Sequence, residues 1–222
     1  MSSVPGKAEQ MVSYAVAALA MGVMPAPLSR DSDRDAALHN LAAVAGQRGW
    51  GVDVLRDVAG PHADLLFPGG DVEIVEAWSD LCDRMMLDAM QDVQEPRLSR
   101  RVRQAILCRL PADDTRRAAA GKAMAVAFAP HGRAAFRRAW VRTVNALWQA
   151  ARDDSTGVTY LTKRLSLGHI YAMVFLYWLN RGGDAAAMGA FVDRRLAAVR
   201  RIGQWKARLV GGLGASPAKA AE

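Results

Sequence analysis

This 222-residue chain has little of what function is usually read from. It has only two cysteines, Cys82 and Cys108, and no motif pairs them. Both fall in helical patterns, so they read as small buried thiols in a chain suited to a reducing compartment. Its four histidines, at 39, 62, 131 and 169, are scattered, and no Glu-x-x-His pair of the di-iron type accompanies them. There is no glycine loop of the phosphate-cradling kind and no serine elbow; the glycine pairs at 69–70 and 182–183 read as helix breaks. No catalytic constellation remains, and neither a metal nor a cofactor is expected. No segment alternates with period two, which argues against strands and for an all-α chain.

Long hydrophobic runs are also missing. The most apolar stretch, Leu165 to Leu179 within "TYLTKRLSLGHIYAMVFLYWLN", is fifteen residues long and includes Ser166 and His169. As a helix it spans about 22 Å, short of the ~30 Å hydrocarbon core of a bilayer. It is therefore expected to be buried in protein on several sides, by neighbouring helices, a second subunit or an apolar ligand. Residues 11–24, "MVSYAVAALAMGVM", resemble the apolar core of a signal peptide. They are preceded by one base, Lys7, and an acid, Glu9, and are followed by prolines where cleavage would fall. An N-terminal extension is the expectation, not export.

Positive charge is nearly absent from one region. Residues 51–83 carry Arg56 against eight acids, a net −7, whereas residues 97–148 carry twelve bases against Asp113 and Asp114, a net +10. The overall balance is +7, with 51% hydrophobic and 23% charged residues, so the chain is globular and can bury a full core.

What is present is helical. Caps and stops predict helices over about 33–48, 51–59, 61–67, 71–91, 96–110, 113–129, 133–152, 158–180 and 184–210. Three short helices followed by a longer one outline a helix-turn-helix unit joined to a bundle. This outline resembles the TetR family of regulators, with "GVDVLRDVAGPHADLLFPGG" in the place of the turn and recognition helix. Phosphate contacts need Lys or Arg on the docking face, and residues 61–67 have neither. The unit is therefore expected to be degenerate, with no DNA bound. The expected organisation is an extension over 1–32, a helix-turn-helix-like unit over 33–70, a bundle for ligand and dimer over 71–211, and a flexible tail over 212–222.

Apolar side chains recur at helical spacing along two neighbouring helices: Phe136, Trp140, Val144, Leu147 and Trp148 on one, and Leu167, Tyr171, Val174 and Trp178 on the other. Gly168, Ala172 and Phe175 form a stripe beside the second set. Such stripes suit a tail-shaped apolar ligand between helices, lined by Phe136, Trp140, Val144, Leu147, Leu167, Tyr171, Val174, Phe175 and Trp178. Tyr171, His169 and Asn145 are candidates to orient a ring-shaped head. The last helix sets an apolar side with Trp205 against Arg194, Arg195, Arg200, Arg201, Lys206 and Arg208, a composition suited to an anionic lipid surface.

Two stretches carry a second resemblance. "HADLLFPGGDVEIVEAWSDLCDRMM", together with "TYLTKRLSLGHIY" and "FLYWLNRGGDAAAMGAFVDRRL", resembles bacterial members of the ubiquinone-biosynthesis accessory family named after the ninth yeast Coq protein. The likeness covers roughly residues 33–200. It implies a TetR-like all-α dimer that binds isoprenoid lipid or a ubiquinone precursor instead of an operator. It also implies presentation of that precursor to the demethoxyubiquinone hydroxylase, from the cytoplasm at the inner membrane (the matrix side in a mitochondrion). The family's partner-binding motif, an aromatic pair followed by Thr and two bases, falls on Tyr160, Leu161, Thr162, Lys163 and Arg164, with Leu161 in place of the second aromatic. The membrane-surface residues implied are Arg194, Arg195, Arg201, Trp205, Lys206 and Arg208, and only a short Gly/Ala tail follows them. The alternative is a ligand-sensing transcriptional regulator, which the acidic front opposes. An enzyme built on a bound cofactor has no residue speaking for it.

Overall fold

The computed structural model describes residues 25–26, 28–153, 157–181 and 183–198; within 157–181 the side chains described are those of 163, 164 and 166 onward. Every regular element among them is a helix. In chain order they are α1 (Ser32–Arg48), α2 (Val52–Ala59), one turn of 3-10 helix (Ala63–Leu66), α3 (Gly70–Ala89), α4 (Leu98–Arg109), α5 (Asp114–Phe128), α6 (Arg133–Ala150), α7 (Gly157–Arg181) and α8 (185–198). The expected all-α bundle is what is found.

Local chemistry sets the boundaries. Asp31 caps α1 by accepting from the amides of Asp33 and Arg34 at 2.8 and 3.2 Å, and Asp113 caps α5 through Thr115 and Arg116 at 2.9 and 3.1 Å. Asp184 does the same for α8 through Ala186 and Ala187. Gly60 ends α2 at φ +103°, a conformation that a side chain would strain. The full helix expected over 61–67 is only a 3-10 turn. It is squeezed between that glycine and Pro68, and the residue before a proline is driven out of the helical region.

One continuous core runs from Ala37 on α1 to Val192 on α8. The front helices are part of it. Trp50 is buried, packs against Trp78 of α3 with ring centroids 4.7 Å apart, and donates its indole N–H to the carbonyl of Ala119 on α5 at 2.9 Å. On α7, the stripe Leu167, Tyr171, Val174 and Trp178 is buried, together with Ile170. Tyr177 on another side stacks on Phe191 of α8, centroids 4.1 Å apart and planes within 9°. Gly168 lies where α7 meets α6, its Cβ position 3.6 Å from Val144. The apolar run is thus covered on three sides by α6, by the bundle interior and by α8, while His169 and Leu176 face outward. Among the described residues no helix is long and apolar enough to cross a membrane.

Candidate functional site: an apolar cavity with one polar wall

Helix α5 creates space. It buries Ala119, Ala120, Ala123 and Ala127 where larger side chains would fill the bundle. The room left over is a cavity between α3, α5, α6 and α7, with about 700 Å³ of space between its lining atoms, part of it open to solvent. Gly132, at the turn from α5 into α6, also lines it; a Cβ there would sit 2.1 Å from the carbonyl oxygen of Val126.

One wall is aromatic. Phe128, Phe136, Trp140, Tyr171, Phe175 and Trp178 form an unbroken row, with successive ring centroids 5.3, 5.9, 5.1, 6.1 and 5.8 Å apart. Each pair is tilted, as the ring quadrupoles prefer. Phe128 at one end is exposed, whereas Trp178 at the other is buried and donates to the carbonyl of Pro111 at 2.7 Å. Five of the nine residues expected to touch an apolar ligand line the cavity: Phe136, Trp140, Tyr171, Phe175 and Trp178. Val144, Leu147, Leu167 and Val174 are buried in the adjoining core.

The lining also includes polar groups, Glu76, Ser79, Arg109 and Thr143, which sequence reasoning passed over. Asp83 is buried on α3, accepts from Arg109 Nε at 2.6 Å and from the Thr143 hydroxyl at 2.9 Å. Arg109 Nη2 donates to the hydroxyl of Ser79 at 3.1 Å. Burial pushes the Asp83 carboxyl up, opposed by the Arg109 charge and the Thr143 donor. At the rim, Glu76 accepts from Arg138 Nε at 2.9 Å and from Arg142 Nη1 at 2.6 Å. Burial works against the Glu76 charge, yet the two guanidiniums hold its carboxyl below the usual range. Burial also pushes the Tyr171 phenol up to about 12, so it stays a neutral donor at physiological pH. The available signal was the spacing of Glu76, Ser79 and Asp83, three and four apart on a helix whose neighbouring positions are apolar.

Other sequence candidates are placed differently. His169 is exposed on the outer side of α7, so it does not meet the cavity. Lys163 pairs with Asp153 at 2.9 Å beside the ring of Trp148, and Arg164 Nε donates to Asn145 at 2.6 Å. Asn145 is therefore engaged by Arg164 and does not line the cavity. The side chains of Tyr160 and Leu161 lie outside the description. Arg194 and Arg195 sit over the Phe191 ring at 5.6 and 4.8 Å, while Arg201, Trp205, Lys206 and Arg208 lie outside the described residues.

Fold and site together define an all-α bundle built around an apolar, aromatic-lined cavity. Residues 134–203 match the family model described as COQ9, the ubiquinone-biosynthesis accessory family that the sequence resembles. The matched stretch holds α6, α7, α8 and five of the six rings in the aromatic row. A match to this family implies a role in ubiquinone biosynthesis. No curated protein matches the chain.

Proposed function

We propose that this chain is a non-enzymatic lipid-binding protein of ubiquinone biosynthesis. It holds an isoprenoid quinone precursor in the cavity between α3, α5, α6 and α7 and presents it to the demethoxyubiquinone hydroxylase at the inner membrane. The aromatic row carries this reading: a flexible polyprenyl tail needs a long apolar contact surface, and the row supplies one that starts in solvent at Phe128 and ends in the core. The family match over 134–203 supports the pathway. The docking face for the hydroxylase would centre on Tyr160, Leu161, Lys163 and Arg164, with the protein acting as a homodimer. Arg194 and Arg195, continued by Arg201, Trp205, Lys206 and Arg208, would meet an anionic membrane. The regulator alternative is weakened by the single 3-10 turn where a recognition helix would lie.

Native mass spectrometry of the purified protein with lipid extraction tests the reading. A co-purifying isoprenoid is expected in the natural protein. Ala139→Trp, which places a ring inside the cavity from a half-buried position on α6, should remove that lipid and leave the fold intact. A folded Ala139→Trp protein that keeps full lipid occupancy would put the site elsewhere.

A further inference from the structure

The turn from α5 into α6 is a place where the cavity comes to the surface. Val126, Ala127, Gly132 and Phe136, all in or beside this turn, belong to the lining, and Val126 and Phe136 are half-buried. Phe128 stands just outside them. It is 59% exposed, with its ring centroid 5.3 Å from that of Phe136. It is the only aromatic side chain so exposed among the described residues. Holding most of a phenyl ring in water is unfavourable, and the ring has no other element to cover it here.

Positive charge sits beside that ring. Arg133 and Arg137 lie three residues before and one after Phe136, so the three share a face of α6. Both arginines are exposed, and neither makes an ion pair or hydrogen bond with a described residue. Their neighbours Arg138 and Arg142 are, by contrast, held by Glu76. The acid that reaches the turn is Asp71, 4.0 Å from His131, and the free bases outnumber it. An acidic protein face would satisfy the arginines alone. An anionic bilayer satisfies both groups, taking the ring at the acyl boundary and the guanidiniums among the head groups. It is also a reservoir from which an apolar chain can reach the cavity without crossing water.

Building on the lipid reading, we propose that Phe128, Arg133 and Arg137 form a contact surface for an anionic membrane, which seats the cavity opening at the α5–α6 turn on the lipid. This surface shares no residue with the basic stretch of α8. It supplies what those bases do not, a path from the bilayer into the aromatic row through Phe136.

Vesicle flotation of the whole protein tests the surface, using phosphatidylcholine and phosphatidylglycerol in equal parts against phosphatidylcholine alone. The natural protein should float with the mixed vesicles and far less with the neutral ones. Phe128→Ser should weaken binding about ten-fold, and Arg133→Gln combined with Arg137→Gln about thirty-fold. Melting temperatures should hold, because the three side chains are exposed or unpaired. Arg97→Gln removes another exposed arginine that makes no ion pair, from the residue before α4, and should change binding by less than about two-fold. Equal losses in Arg97→Gln and in the Arg133 and Arg137 pair would reduce the effect to net charge and overturn the surface. Unchanged binding in every turn variant would also overturn it, leaving α8 as the docking element. A natural protein that ignores mixed vesicles would hand the turn to an acidic protein face instead. The lipid reading is judged separately by the co-purifying lipid. Lipid carried by a protein that ignores vesicles keeps that reading and sinks this surface, whereas vesicle binding through the turn without any carried lipid does the reverse.

Discussion

Residues 51–83 and residues 97–148 are opposites along the chain, one with eight acids and one base, the other with twelve bases and two acids. In the fold they are halves of one arrangement. Six of the eight acids sit in ion pairs with arginine: Asp57 with Arg48, Asp64 with Arg56, Glu73 with Arg34, Asp80 with Arg84, Glu76 with Arg138 and Arg142, and Asp83 with Arg109. Three of those arginines come from the basic region, and all three belong to the walls or rim of the cavity. The segment's net charge is therefore not a field shown to solvent. The repulsion of a phosphate backbone expected from −7 is largely quenched within the molecule, and so are the arginines that could have gripped one. The shortness of the 3-10 turn is the stronger physical obstacle to reading a groove.

The pairs differ in burial, and the comparison can be broken accordingly. Asp83→Ala leaves the buried Arg109 charge without its partner and should cost about 3–5 kcal/mol in urea unfolding. The double variant Asp83→Leu with Arg109→Met should recover most of that loss, because well-packed apolar groups replace a buried pair at little cost. Double and single variants of equal stability would mean that the pair is not what joins the two regions.

Glu76→Gln is the intermediate case, since Glu76 is buried but Arg138 is half exposed. A loss of about 1–2 kcal/mol is expected. Glu76 has a folded pKa lowered by its two arginines, so its contribution is present above the unfolded value and lost as pH falls through the folded one. Natural protein should accordingly lose stability more steeply than Glu76→Gln below about pH 4. Parallel acid-unfolding curves would show that another carboxylate dominates.

The exposed pairs should matter least. Arg48 and Asp57 are well exposed at 44% and 62%, and Asp57→Asn should change unfolding stability by under about 0.5 kcal/mol. A loss comparable to that of Glu76→Gln would mean that front-unit pairs share in holding the bundle together.

The helices were legible in the sequence because their signals are local: a capping Asp or a glycine break acts within a turn, and burial repeats every three to four residues. The aromatic row was partly legible for the same reason. Phe136 and Trp140 lie one turn apart on α6, and Tyr171, Phe175 and Trp178 follow one another on α7. The sequence could not show that Trp140 meets Tyr171, which depends on how two helices cross. It ranked Val144 and Val174 with their aromatic neighbours because period alone cannot tell a core position from a cavity wall. Amino-acid order by itself determined the all-α class, the segmentation and the apolar character of α7, since each follows from short-range propensity and spacing. Tertiary structure alone decided where empty space lies, because that depends on the alanines of α5 facing side chains from four other helices. It also decided which charges meet. Asp83 finds Arg109 across 26 residues and Glu76 finds Arg142 across 66, distances that no local rule bridges.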